Sequence, residues 1–452
     1  MENIKLYFAT YNVGTSVPEQ ELFDLLSLQE EQKNDKSVQL PDFYIMSFQE
    51  VKAQPQNLLM DAIFEDPWTN ACRELLETRN YVKLKSVRLQ GLVMSIFALR
   101  KHLLNIREIE SEYTRTGLGG MWGNKGAVSV RLSIYGCSLC FINAHLSAHD
   151  DHLKDRVEDY NVIVKDHEFH VPEHTEIFFH DYVFWMGDLN FRLLEDYDKT
   201  PEEIERSVLK KDLETLFKYD QLRYVMRRGE AFSELVENTP PFPPTFKFEV
   251  GTNSYDFKRR PAWCDRILFK VNQHNYENIT LKAEQLCYKY HPFYTLSDHK
   301  PVTAEFSVKI PPIDLQVSPR VAADKVFSDY SESIVEFNKI TSWNQEEDNE
   351  VVYSVDPWKI PQTKDDWIGL FKENFSSLED YVCYNYTRKS SNSTNDSEEE
   401  ENKRLEYSLT FSELPSKCNG NYVLLYFSQS EDKVVSVLGI SEPFPIIKND
   451  SD

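Results

Sequence analysis

The stretch FWMGDLNFR, Phe184 to Arg192, reads as a buried strand that ends on polar groups. Phe184 to Gly187 are bulky and apolar or glycine, as a core strand requires. Asp188 and Asn190 follow with Leu189 between them, so a period of two would aim both the same way. Such groups are costly when buried without partners, and a chain places them at a strand end for a reason. Other strand-like runs end similarly: FATYNV delivers Asn12, MSFQEV delivers Glu50, FINAHLSAH delivers His145, and TLSDHKPV delivers Asp298 and His299. Far apart in sequence, these carboxylates, amides and imidazoles would meet if the strands formed sheets packed together, since rigid strand ends are where active sites are built.

Around these runs, the first 310 or so residues alternate strand-like and helix-like patterns. Strands are expected at IKLYFATYNV, DFYIMSFQEV, LVMSIFAL, AVSVRLSIYG, SLCFINAHL and YVFWMGDLNF. Helices are expected over Glu19 to Leu28, Leu58 to Thr78 and Asp150 to Glu168, and from Pro201 to about Met226. Thr200 caps the last of these, with Pro201 at its first position. This mixture predicts an α+β fold with helices outside packed sheets. The proline-rich KIPPIDLQVSP breaks the pattern, and the short strands beyond it, from NEVVYSV to VVSVLGIS, read as a small β-sandwich. The expected division is a first domain over 1–310, a linker over 311–319 and a sandwich over 320–447. Within the sandwich, KSSNSTNDSEEEENK reads as a solvated acidic insert.

Composition bounds the function. At 452 residues, 41% hydrophobic and 27% charged, the chain is long enough for two or three cored domains. No apolar window of membrane-spanning length occurs. The start MENIKLYFATYNV enters a strand pattern directly, and the seven scattered cysteines suit a reducing compartment, so an intracellular protein is expected. Cys137 and Cys140 form a lone C-x-x-C inside a strand pattern and read as core cysteines. A net charge of −24 argues against wrapping nucleic acid, so a polyanionic ligand has to meet a local basic site. Glu50 and Asn12 are hard oxygen donors suited to Mg²⁺. A zinc reading of His145 and His149 is weaker, because no thiolates or clustered histidines accompany them.

Taken in order, TYNV, FQE, WGNKGAV, NAHLSAH, GDLNFR, PAWCDRIL and SDHKPV resemble the inositol polyphosphate 5-phosphatases, over about residues 1–310. DDWIGLFK and GNYVLLYFS resemble the SKICH domain, an order similar to that of the skeletal-muscle and kidney-enriched type of inositol phosphatase. The resemblance implies a DNase I-like four-layer αββα sandwich followed by a small immunoglobulin-like β-sandwich. It implies a Mg²⁺-dependent enzyme removing the 5-phosphate of phosphoinositides such as phosphatidylinositol 4,5-bisphosphate and 3,4,5-trisphosphate, and of soluble inositol polyphosphates.

The resemblance also assigns roles. Asp188 is the base that takes a proton from the attacking water, and Asn190 orients that water. Glu50 and Asn12 hold Mg²⁺. His145, and His299 held by Asp298, bind the scissile phosphate. Asn124 and Lys125 meet the 1-phosphate, and Lys247 with Lys258 or Arg259 the 4-phosphate. Arg192 binds substrate, while Asp265 and Arg266 support the histidines, a buried ion pair being the alternative for those two. Phe246 stands where many members carry Tyr. Implied partners are phosphoinositide lipids at a membrane surface and a protein bound through the C-terminal domain, with no nucleic acid. The implied location is the cytoplasm, peripheral to the plasma membrane or endoplasmic reticulum. Two other readings compete: a nuclease or other phosphodiesterase on the same scaffold, and a catalytically dead interaction protein, which would require a lost metal ligand or base.

Overall fold

The computed structural model describes residues 2–28, 39–52, 65–116, 125–276, 279–311, 334–356, 362–387, 404–412, 414 and 420–448. The linker beyond Pro311, the acidic insert and Asn124 lie outside the described residues.

Two sheets face each other. The first has the order β10 (Ala283–Tyr290), β11 (Val302–Ile310), β1 (Glu2–Asn12), β2 (Phe43–Gln49), β4 (Leu92–Leu99), β3 (Tyr81–Leu89). The second runs β5 (Ile106–Arg115), β6 (Gly126–Ile134), β7 (Cys137–His145), β8 (Tyr182–Asp188), β9 (Asp265–Val271). Alternate residues of both sheets point into one apolar layer, in which Phe8, Phe141, Phe184 and Phe306 pack ring against ring.

Helices cover the outer faces and complete the four layers. On the first sheet, α1 (Pro67–Glu77) buries Trp68, Cys72 and Leu76 against Tyr11 and Phe48. On the second, α2 (Leu153–Asp166) contributes Tyr160 and Ile163, and α5 (Gln221–Arg228) Leu222 and Val225, to a cluster with Trp185 and Ile142. Cys137 and Cys140 face opposite sides of β7, one in each apolar layer, and so act as core residues.

Two helix expectations fail. Residues 19–28 form turns, because the tyrosine hydroxyls of the sheet compete for their backbone. Tyr7 donates to Leu25 O and Tyr44 to Leu26 O, and Tyr294 bonds both Glu21 O and Leu25 N. The single helix from Pro201 is three: α3 (Pro201–Leu209), α4 (Leu213–Phe217) and α5. Lys211 turns left-handed at φ 60°, and Asp212 and Asp220 each cap a new start. Of the helix expected over Leu58 to Thr78, the described part begins at Pro67, with Asp66 as its cap.

The C-terminal sandwich packs the sheet β12 (Val335–Phe337), β14 (Asn349–Val355), β17 (Leu405–Phe411) against β18 (Asn421–Gln429) and its neighbours. These neighbours are β13 (Trp343–Asn344), β15 (Trp367–Lys372), β16 (Cys383–Tyr386), β19 (Val435–Ile440) and β20 (Phe444–Ile447), and Trp343, Tyr353, Leu424 and Phe444 fill the core between the two sheets. It is not a free-standing appendage. Val435 of β19 pairs with Ile109 of β5, and Phe371, Phe375 and Val437 share the apolar cluster of the first domain. Lys83 pairs with Glu379, 3.0 Å away, and Arg100 lies over the Phe375 ring. No described helix is long and apolar enough to cross a membrane.

Candidate active site

The strands carry apolar residues into the layer between the sheets until their last turns, where the same face becomes polar. On β8, Phe184 and Met186 are followed by Asp188, and on β7, Leu139 and Phe141 by Asn143 and His145. Leu6 and Phe8 of β1 are followed by Thr10 and Asn12, and Phe43 and Ile45 of β2 by Ser47 and Gln49. The carboxylate at the end of FWMGD therefore lines the mouth of the inter-sheet core. Register lines up the partners, since His145 of β7 pairs with Asp188 of β8, which pairs with Asp265 of β9. Gly187 allows this close approach, for a Cβ there would sit 1.9 Å from Ala144 O.

Asp188 is the hub, at 1% exposure. Its Oδ2 accepts a hydrogen bond from Asn12 Nδ2 at 2.9 Å and lies 3.3 Å from His145 Nε2 and 3.7 Å from His299 Nε2. Its Oδ1 accepts from Asn190 N at 3.1 Å. Burial pushes its pKa up, but His299, His145 and Lys125 together outweigh that and hold it well below the carboxylate range. Asp188 is thus ionised at neutral pH.

The two histidines differ. For His299, burial lowers the pKa, yet Asp265 and Asp188 overcome it and leave it at about 9. His145 is pushed below its ordinary value, first by burial and then by Lys125, whose ammonium stands 2.5 Å from Nε2. Burial likewise lowers the Lys125 pKa. One imidazole is a cation and the other a neutral ring beside a lysine.

Asn12 Nδ2 also donates to Glu50 Oε1 at 3.1 Å. Glu50 sits just past β2 at φ 56°, its carboxylate 39% exposed. The Asn12 amide thus turns its nitrogen to Glu50 and Asp188, while its Oδ1 accepts from Gly14 N at 3.1 Å. The Glu50 carboxylate, open to the cleft, and the Asn12 amide, once turned to present its oxygen, would be hard donors of the kind that fits Mg²⁺ or Ca²⁺ in chemistry. Asp188, Asp265 and His299 also offer atoms within 4.8 Å of one another.

Several assignments change. Asp298 does not hold His299; it pairs with Lys247 at 3.0 Å, and Asp265 takes its place, 2.9 Å from His299 Nδ1. Asp265 is fixed in turn by Thr245 Oγ1 at 2.7 Å. Arg266, next on β9, points to the opposite face and forms a buried pair with Asp220 and Glu237, away from the histidines. Arg192 is buried beside the site and engaged with its neighbours. It donates to Asn190 O and Asn190 Oδ1 and stacks over Phe246, fixing Asn190, which sits at φ 57° and donates to Leu146 O. Lys125 Nζ reaches His145 Nε2 in the catalytic cluster.

Lys247 and Lys258 flank one hairpin, closed by the Phe248 and Tyr255 bridge. Lys258 is 86% exposed with Asp256 3.9 Å away, and Arg259 approaches His149 at 3.4 Å. Sequence reasoning missed Gln49 and Asn143. Their side chains bond across the sheets at 2.7 Å, and Asn143 also donates to Phe48 O and Val93 O, clamping the floor of the site. A fully apolar strand interrupted by one amide was the available signal.

A family model for the endonuclease/exonuclease/phosphatase family 2 matches residues 9–305, and one for the SKICH domain matches 335–446. Mouse phosphatidylinositol 4,5-bisphosphate 5-phosphatase A is 35% identical over 98% of this chain, which spans 42% of that relative's length. Mouse inositol polyphosphate 5-phosphatase K is 32% identical over 98% of this chain and 90% of its own. Among solved structures, the inositol polyphosphate 5-phosphatase domain of SPsynaptojanin, in complex with inositol 1,4-bisphosphate and calcium ion, aligns at TM-score 0.57 and 32% identity. The match covers 68% of this chain and 86% of that one. A Cimex nitrophorin aligns at TM-score 0.54 and 21% identity, over 69% of this chain and all of its own, a likeness of fold alone. The chain therefore belongs to the endonuclease/exonuclease/phosphatase family 2 and, within it, to the inositol polyphosphate 5-phosphatases that carry a SKICH domain.

Proposed function

We propose that this chain hydrolyses the 5-phosphate of phosphoinositides, phosphatidylinositol 4,5-bisphosphate and 3,4,5-trisphosphate among them, and of soluble inositol polyphosphates, with Mg²⁺ as cofactor. The observation that carries the reading is the ionised Asp188 set between a cationic His299 and a neutral His145, and joined through the Asn12 amide to the Glu50 carboxylate. Buried groups perturbed by specific charge partners in this way cluster at functional sites.

Glu50 and Asn12 would hold the metal, which when bound neutralises charge on the phosphoryl oxygens and polarises the phosphorus. Asp188 accepts the proton of the attacking water as the new P–O bond forms; the bond to the inositol oxygen breaks, and that oxygen takes up a proton from solvent to leave as the hydroxyl. His299⁺ donates to a phosphoryl oxygen, and Asp265 fixes the ring and keeps it charged. Lys125, beside His145, adds positive charge that favours the ionised Asp188. Asn190, held by Arg192 and Leu146, orients the water. The work of the protein is positioning and charge neutralisation, which phosphoryl transfer needs most.

Phosphate release from phosphatidylinositol 4,5-bisphosphate with and without Mg²⁺, run beside a plasmid-nicking assay, tests this. Nicking without phosphate release would replace the phosphatase reading by a nuclease. For location, the proposal is the cytoplasm, peripheral to the plasma membrane or endoplasmic reticulum. The C-terminal sandwich would supply the contact that an acidic catalytic domain lacks. Imaging the full chain against one lacking 320–447 tests it, and an unchanged distribution would count against it.

A further inference from the structure

Away from the catalytic mouth, β5 carries Glu110 and Glu112 on one face, beside His170 from the segment after α2. Glu110 is 2% exposed, and its Oε1 accepts from His170 N at 2.8 Å and meets His170 Nδ1 at 2.7 Å. Glu112 Oε1 lies 3.9 Å from the same Nδ1. One ligand atom from each of the three falls within 4.8 Å of the others. Glu110 Oε2 is buried with no hydrogen-bond partner, although it shares a carboxylate with an oxygen already in the cluster. A single imidazolium neutralises one carboxylate only, leaving the other without a counter-charge within the cluster, and an orphaned acceptor.

Arg131, the partner of Glu110 on β6, donates to Glu108 O, Glu108 Oε2 and His180, and it comes within hydrogen-bond reach of neither Glu110 oxygen although its Nη2 is left without a partner. The C-terminal sandwich closes in from the other side. Val435 pairs with Ile109, Ser436 Oγ accepts from Glu108 N at 2.9 Å, and the charge of Asp432 reaches His170. His170 keeps 45% of its side chain exposed, which leaves an entry path.

We propose that Glu110, Glu112 and His170 bind a first-row divalent cation of the zinc class at the seam between the phosphatase domain and the C-terminal sandwich. The donor set separates this site from the catalytic one. An imidazole with two carboxylates favours zinc-class ions, whereas the oxygen-only pair of Glu50 and Asn12 favours Mg²⁺. Binding would replace the 2.7 Å contact between Nδ1 and Oε1 by the roughly 3.3 Å ligand spacing of a tetrahedral centre with bonds of about 2 Å. It would occupy the unsatisfied Oε2 and leave a remaining position to water.

The test uses the full chain, stripped with a chelator and held in excess Mg²⁺, titrated with Zn²⁺ in a calorimeter and with Co²⁺ in a spectrophotometer. Wild type is expected to take up one equivalent of Zn²⁺ more than His170→Ala or Glu112→Gln, each variant losing about 100-fold or more in affinity at this site. Co²⁺ should give visible bands in wild type that disappear in His170→Ala. Glu112 is partly exposed, so its variant keeps the test open if the histidine variant folds poorly. Equal stoichiometry in wild type and Glu112→Gln, or no Co²⁺ band dependent on His170, would overturn the site.

Discussion

Replacing Asp265 by Asn asks how a buried histidine stays charged. His299 is 4% exposed, with Nδ1 2.9 Å from Asp265 Oδ2 and Nε2 3.7 Å from Asp188 Oδ2. Unit charges about 3 Å apart at an effective dielectric constant near 20 interact by roughly 5 kcal/mol, an upper bound for what Asp265 supplies. His145 gauges the environment without that supply, being equally buried and 3.3 Å from Asp188 but beside Lys125, and its pKa falls below the ordinary value. Losing the Asp265 charge should therefore take His299 from about 9 to its ordinary 6.5 or lower. At about pH 7.5 the imidazolium fraction then drops from roughly 97% to roughly 10%, so kcat/KM falls about tenfold there, and the deficit shrinks toward pH 5.5.

The alkaline limb of the pH profile should move by roughly 2.5 units, measured as phosphate release from a soluble inositol polyphosphate and by NMR titration of the His299 ring. Stability moves with it. A pKa raised in the fold contributes stability that is complete below about 6.5 and lost as pH rises through about 9, here roughly 3 kcal/mol that the variant lacks. An alkaline limb that stays near 9 in Asp265→Asn would refute the dyad, as would a loss equal at every pH.

Asp188→Asn should lower kcat by roughly 10²–10⁴ and also lower the urea midpoint at neutral pH, because the cations that depress its pKa lose their buried partner. Glu50→Gln should raise the Mg²⁺ concentration needed for half-maximal activity, read from a metal titration. Lys247→Ala should cost about ten- to a hundredfold in kcat/KM on phosphatidylinositol 4,5-bisphosphate and little on a lipid lacking the 4-phosphate. Lys258, 86% exposed, should show a smaller loss that fades with salt. A chain ending at Lys309 keeps every catalytic group but uncovers the cluster that Phe371, Phe375 and Val437 share with the first domain. Each such side chain is worth about 1.5–3 kcal/mol when fully buried, so its melting temperature should fall by several degrees.

The strands were legible because their signal is local. YVFWMGD and LVMSIFAL are apolar but for one residue each, and a polar residue at the close of such a run is visible without coordinates. The motifs likewise marked Asp188, His145, Glu50 and Asn12 before any of them had neighbours. The helices were less legible, since their fate lay with distant groups. Residues 19–28 carry a helical pattern, but the hydroxyls of Tyr7, Tyr44 and Tyr294 take the backbone bonds a helix would have made. Partnership at the site was hidden for the same reason. Asp298 adjoins His299 in sequence, yet the cross-strand register of β8 and β9 brings Asp265 to the ring while Asp298 turns to Lys247. Sequence sets which groups a strand delivers and on which face. Which of them touch, and so which histidine carries a proton, depends on register and burial, and these are set only when the sheets have packed.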